Sequence, residues 1–165
     1  MKKRVVITGL GAITPIGKTA NETWNGIKNK ECGIDEIKLF NAENFKTKFD
    51  AEVKDFNSLD YLDMKQSKRL DRSSQFAIIA GREALKDSGI TTENTNFNNV
   101  GVFVSSGIGG LSTIQQQCEI NYEKGNNRVS PMFIPMGITN MPAGNVAIDL
   151  GLKGESISIV TACAS

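Results

Sequence analysis

The chain contains no histidine, which removes the side chain that most often serves as a general base near neutral pH and most often ligates a transition metal. Its three cysteines, Cys32, Cys118 and Cys163, are odd in number and widely spaced. That fits neither a disulfide framework nor a paired-cysteine zinc site, so reduced thiols are expected. Net charge is nearly absent as well: 19 basic and 18 acidic residues leave +1, and nothing global draws nucleic acid or an anionic membrane surface. Long apolar runs are missing. The apolar N-terminal stretch is broken by Gly9, Gly11 and Pro15, and no stretch approaches the roughly 18 residues of a membrane helix. Neither a signal peptide nor a membrane span is expected, and the cytoplasm is the expected location. The one tryptophan, Trp24, is read as core filling rather than a ligand platform.

What is present is ordinary in amount and informative in order. With 165 residues, 39% hydrophobic and 22% charged, the chain has enough apolar surface for one sizeable core. Val5 to Thr8 is a β-branched run closed by glycines, the pattern of a strand buried on both faces in a largely parallel sheet. A helix follows over about 21–29, then an irregular surface excursion to about Leu62 with one or two short strands. "QSKRLDRSSQFAIIAGREALKDSG" (66–89) carries the best helical spacing and ends on Gly89 where a C-cap belongs. Its small residues imply close packing against a neighbour. "NNVGVFVSSGIGG" repeats strand and glycine loop, with a helix from Leu111 to Lys124, a short helical turn after Pro131, a helix ending near Gly151, and a last strand reaching Thr161. Alternating helices and parallel-type strands predict an α/β layered fold. The last strand has no covering helix after it, so the chain reads as part of a larger unit.

Four stretches are candidates for chemistry. "VVITGLGAITPIG" (5–17) lacks a dinucleotide fingerprint, because Thr14 stands where the third glycine is needed, so a tight turn is the better account. "SSGIGG" (105–110) lacks the lysine and hydroxyl residue of a phosphate loop. Its glycines would still let backbone approach a ligand closely, with Ile108 the one large side chain there. "MKQSKRLDR" (64–72) gathers Lys65, Lys68, Arg69 and Arg72 at helix-compatible spacing, either a solvated helix face or a docking patch for an acidic partner. "GESISIVTACAS" (154–165) delivers Cys163 at a strand end among Ala162, Ala164 and Ser165. A helix beginning there would favour the thiolate, and its free amides could hold the oxyanion of an acyl transfer. An inert buried cysteine is the alternative those residues leave open. Cys32 and Cys118 sit beside Glu31 and Glu119 and are read as bystanders.

Taken together, "VVITGLGAITPIG", "SSGIGG", "SPMFIPMGITNMPAGNVAIDLGLKG" and above all "SISIVTACAS" resemble, in order and spacing, the N-terminal half of the β-ketoacyl-acyl-carrier-protein synthases, and the resemblance covers essentially the whole chain. It implies a thiolase-like fold, in which two related α/β halves pack as αβαβα layers and two subunits form a homodimer. Residues 1–165 would be the first half, an N-terminal synthase domain cut just after the nucleophile. The implied activity is fatty-acid elongation by decarboxylative condensation, without a cofactor or metal. The implied partner is acyl carrier protein, with no nucleic acid and no membrane. By position, Cys163 is the acylated thiol and its amide part of the oxyanion hole. Gly107 and Ile108 line and gate the acyl pocket, Phe133 and Ile134 reach toward the partner subunit's pocket, and Lys65, Lys68 and Arg69 meet the acidic carrier. The strand before Cys163 would pair across the dimer axis and need no neighbour in this chain.

The departure matters too. The family draws two histidines and a lysine from its second half, so these 165 residues alone are expected not to condense. Competing readings are a polyketide-type ketosynthase or its chain-length partner subunit, in which the nucleophile is replaced whereas Cys163 is intact. A thiolase, whose cysteine lies earlier in its chain, fits less well, and an oxidoreductase falls with the missing fingerprint.

Overall fold

A computed structural model describes residues 3–165. In chain order these form helix α1 (Ala20–Lys28), the antiparallel pair β1 (Asp35–Glu36) and β2 (Phe49–Asp50), helices α2 (Met64–Arg69) and α3 (Arg72–Ser88), strand β3 (Val102–Phe103), helices α4 (Leu111–Lys124), α5 (Phe133–Gly137) and α6 (Met141–Leu150), and strand β4 (Ser156–Ile157). Strands β3 and β4 are parallel, Val102 opposite Ser156 and Phe103 opposite Ile157. Helix α6 packs on this pair, and α3 packs on α6. The core lies between them, built on Leu62, Ile78, Val102, Ala143 and Val146. Burying each large aliphatic side chain there contributes about 1.5–3 kcal/mol.

Helix α3 is where the expected close packing appears. A Cβ on Gly81 would lie 3.3 Å from Val146 Cγ1, and one on Gly11 would lie 2.0 Å from the Ala80 carbonyl oxygen, so two neighbours approach the same stretch of this helix. The predicted single helix over 66–89 is two helices. Leu70 turns extended (φ −119°, ψ 131°) and the Asp71 carboxylate accepts from the Ser73 amide, so α3 starts afresh with its own cap. Asp63 caps α2 in the same way, accepting from Lys65 N and Gln66 N at 2.8 Å.

An ion pair ties these helices together. Arg82 of α3 meets Asp149 of α6 through two contacts, Nε–Oδ2 2.7 Å and Nη2–Oδ1 2.6 Å, and donates Nη1 to the Tyr61 carbonyl. Gln66 of α2 donates to the same Asp149 Oδ1 at 3.2 Å. The hydrogen bonds it donates to Asp149 hold the Arg82 guanidinium above its ordinary pKa.

Three expectations need correction. Val5 to Thr8 forms no strand and lies open, with Val6 70% exposed, and no strand among the described residues pairs with it. It is held from its glycine end only, where Leu10 N donates to Asp87 and Ala12 N to Glu83, whose other oxygen takes Ala20 N. Trp24 is 57% exposed rather than core. The inward face of α1 is that of Gly26, packed on Ile16, and Trp24, two positions away, stands about 200° around the helix from it. The last strand is regular only at Ser156–Ile157 and does have a neighbour in this chain, β3. Residues Met1 and Lys2 lie outside the described residues.

Candidate functional site

Strand β4 runs on to Cys163 through residues held by side-chain hydrogen bonds rather than by a ladder. Ile159 N donates to Ser105 Oγ at 3.2 Å, and Ser158 Oγ to the Thr139 carbonyl at 3.3 Å. The chain then turns sharply. Ala162 adopts φ 55°, a left-handed conformation that costs an L-residue about 1–2 kcal/mol, and begins a single 3₁₀ turn, Ala162–Ala164. The turn is clasped by Thr161 N donating to Ser165 Oγ at 2.7 Å. Cys163 sits in the middle of it, exposed and not disulfide-bonded. The sulfur is therefore not buried by these residues. The described residues carry one turn here, Ala162–Ala164.

The glycine loop meets this turn. A Cβ on Gly107 would lie 3.4 Å from the Ala162 carbonyl oxygen, so the loop backbone packs directly beside the residue preceding Cys163. Ile108 projects next, 60% exposed. Gly109 N donates to Ser106 Oγ at 2.8 Å, and Gly110 N to the Gly137 carbonyl at 3.0 Å. That second bond joins the loop to α5. Phe133 starts α5 and is half-buried, its ring near Gly137, while Ile134 is 58% exposed. Cys163, Gly107, Ile108, Phe133 and Ile134 thus belong to three segments, of which the glycine loop touches both the cysteine turn and α5 through backbone.

Lys65, Lys68 and Arg69 lie apart from that cluster, all three exposed on the one short helix α2. A groove of about 460 Å³ runs beside it, lined in part by Lys65, Arg69, Met132 and Ile148. Sequence reasoning passed over Asp71, which is 5% exposed and accepts from the amide and hydroxyl of both Ser73 and Thr113. The signal was available in "LDRSS", an acidic residue followed by hydroxyl residues in the middle of a helical pattern. The Arg82–Asp149 pair had no local signal, since its members are 67 residues apart.

No helix among the described residues is long and apolar enough to cross a membrane. The chain is similar to a 3-oxoacyl-acyl-carrier-protein synthase 2 of Synechocystis sp., 45% identical over 99% of this chain and 39% of that protein. It is also similar to a protein of the same name from Vibrio harveyi, 43% identical over 98% of this chain and 39% of that protein. The chain therefore spans about two fifths of the length of these relatives. Among solved structures, the ishigamide ketosynthase/chain length factor superposes with a TM-score of 0.88 at 24% identity, over 98% of this chain and 40% of that one. A beta-ketoacyl synthase from Burkholderia phymatum superposes with a TM-score of 0.77 at 23% identity, over 99% and 41%. The fold is accordingly the N-terminal part of the thiolase-like ketosynthase architecture. The family model described as the N-terminal domain of beta-ketoacyl synthase matches residues 2–165, and this chain belongs to the beta-ketoacyl synthase family.

Proposed function

We propose that Cys163 is the acylated nucleophile of a 3-oxoacyl-acyl-carrier-protein synthase of fatty-acid elongation. The observation that carries this reading is the open thiol on a strained turn at a strand end, packed against the backbone of Gly107. Such a turn presents the sulfur while leaving room for a flat thioester. The Cys163 thiolate attacks the acyl thioester carbonyl, the oxygen takes the negative charge beside the turn's amide, and collapse releases the carrier's thiol with one proton. The second carrier's malonyl group then loses carbon dioxide. Its α-carbon forms a bond to the acyl carbonyl, and the Cys163 thiolate leaves as 3-oxoacyl carrier protein forms. The groups that would drive decarboxylation are not among these 165 residues, which hold no histidine.

In the same reading, Gly107 and Ile108 bound the acyl pocket, Phe133 and Ile134 extend toward a partner subunit in a homodimer, and Lys65, Lys68 and Arg69 attract the acidic carrier protein. Exposed cations on one helix favour encounter rate more than final affinity. The enzyme would work in the cytoplasm, where reduced thiols persist. Support for the carrier partner comes by analogy from a structural neighbour, a type II polyketide ketosynthase solved with its acyl carrier protein.

The test is mass spectrometry of the complete enzyme after incubation with acyl carrier substrate. A peptide containing Cys163 gains the acyl mass, Cys32 and Cys118 peptides do not, and condensation activity disappears in Cys163→Ala. Acyl mass on another residue with Cys163 unmodified overturns the reading.

A further inference from the structure

Helix α4 begins at Leu111, directly after the glycine loop, and its N-cap residue is Gly110, which has no side chain to accept from the first amides. Those amides need an acceptor. The acceptor comes from 42 residues away: Asp71 Oδ2 takes Thr113 Oγ1 at 2.6 Å and Thr113 N at 3.3 Å. Meanwhile Asp71 Oδ1 takes Ser73 N at 2.9 Å and Ser73 Oγ at 2.8 Å, capping α3. One carboxylate thus caps two helices, and a negative charge at two helix N-termini is favoured by both dipoles. Asp71 and Thr113 are each 5% exposed. The space is filled closely: a Cβ on Gly110 would lie 2.8 Å from the Asp71 carboxylate carbon and 2.5 Å from the Met136 carbonyl oxygen.

We propose that Asp71, through Thr113, is a positioning residue for the acyl gate, fixing where the loop 107–110 ends and therefore how far Ile108 reaches. This rests on the reading of Ile108 as a pocket residue. Gly107, Gly109 and Gly110 leave the loop few intrinsic conformational limits, so its anchors decide its course, and at the downstream end these are the Asp71–Thr113 contact and the bond from Gly110 N to the Gly137 carbonyl. A shifted anchor alters the depth open to an acyl chain more than it alters the thiol, because Cys163 is held by a separate clasp, Thr161 N to Ser165 Oγ.

The experiment compares wild type, Thr113→Val and Thr113→Ser in the complete enzyme, measuring kcat/KM for acylation with hexanoyl and hexadecanoyl carrier protein. Thr113→Val loses the 2.6 Å bond and keeps the side-chain shape. The expected result is a change of at least about fivefold in the long-to-short ratio for Thr113→Val, return to the wild-type ratio in Thr113→Ser, and an unchanged rate of thiol labelling at Cys163. An unchanged ratio, equal losses on both substrates, or loss of the fold in Thr113→Val makes the contact a structural cap and overturns the assignment. A wild-type enzyme that is never acylated at Cys163 overturns the functional reading along with it, which separates the two failures.

Discussion

Helix α3 and the edge formed by β4 and its cysteine turn are built in opposite ways. Around α3, small residues let backbone approach backbone, carboxylates take amides from distant loops, and the Arg82–Asp149 pair bridges to α6. At the edge, Phe103, Ile157, Ile159 and Val160 leave apolar surface open, and Cys163 stands on a strained turn held by few bonds. The N-terminal run Val5 to Ile7 is equally open. The buried core is concentrated where the helices meet.

That contrast can be broken, and the largest expected effect is at the edge. Cys163→Ala in the complete enzyme should lower condensation at least about 10³-fold while moving the unfolding free energy by no more than about 0.5 kcal/mol. Paired rate and urea-unfolding measurements check this, and a large stability loss would show that the turn is a structural element after all. Next comes Gly11→Ala, whose Cβ would meet the Ala80 carbonyl oxygen at 2.0 Å. It should cost about 3 kcal/mol, read as a lower urea midpoint.

Asp149→Ala leaves Arg82 without its partner. Because the Arg82 side chain is 38% exposed while that of Asp149 is 6% exposed, solvent recovers part of the charge, and about 2 kcal/mol is expected rather than the full loss of a buried pair. Thermal unfolding reads it, and an unchanged midpoint would remove α6 from the packed joint. Replacing Lys65, Lys68 and Arg69 together by glutamate should weaken carrier-protein binding at least about tenfold at low salt. Titration with fluorescent carrier measures it, with the fold intact, since all three side chains are exposed.

The smallest effect lies at β1. Asp35 is held down to about 2 from 3.8, first by its hydrogen bond from Lys54 at 2.5 Å, then by the Glu36 amide and by charge from Lys54 and Lys38. A depressed carboxyl contributes stability that is fully present above its unfolded pKa and is lost as pH falls through the folded one. Unfolding scans should show a shallow loss between pH 3.8 and about 2, absent in Asp35→Asn. The pair is exposed and its contribution small.

The helices and the cysteine were legible in the residues themselves. Helix α4 was expected from Leu111 to Lys124 and is found there, because Gly125 stops it by local chemistry. Gly9 and Gly11 were read as a turn, but the turn lies at Thr14–Gly17 and those two glycines lie where backbone meets α3, while Cys163 was singled out by its small neighbours at a strand end. The tertiary structure decided the rest. A strand pattern states that a segment wants partners, not who they are, so Val5 to Thr8 read as buried and lies open, while β4 read as unpaired and found β3. Helix amphipathicity did not reveal that Gly26, not Trp24, faces inward. Nor could spacing show that one carboxylate, Asp71, caps two helices at once, since its second contact spans 42 residues. Local signals act through adjacent backbone and survive in the sequence; pairing, burial and shared caps depend on which distant residue arrives, and only the folded chain determines that.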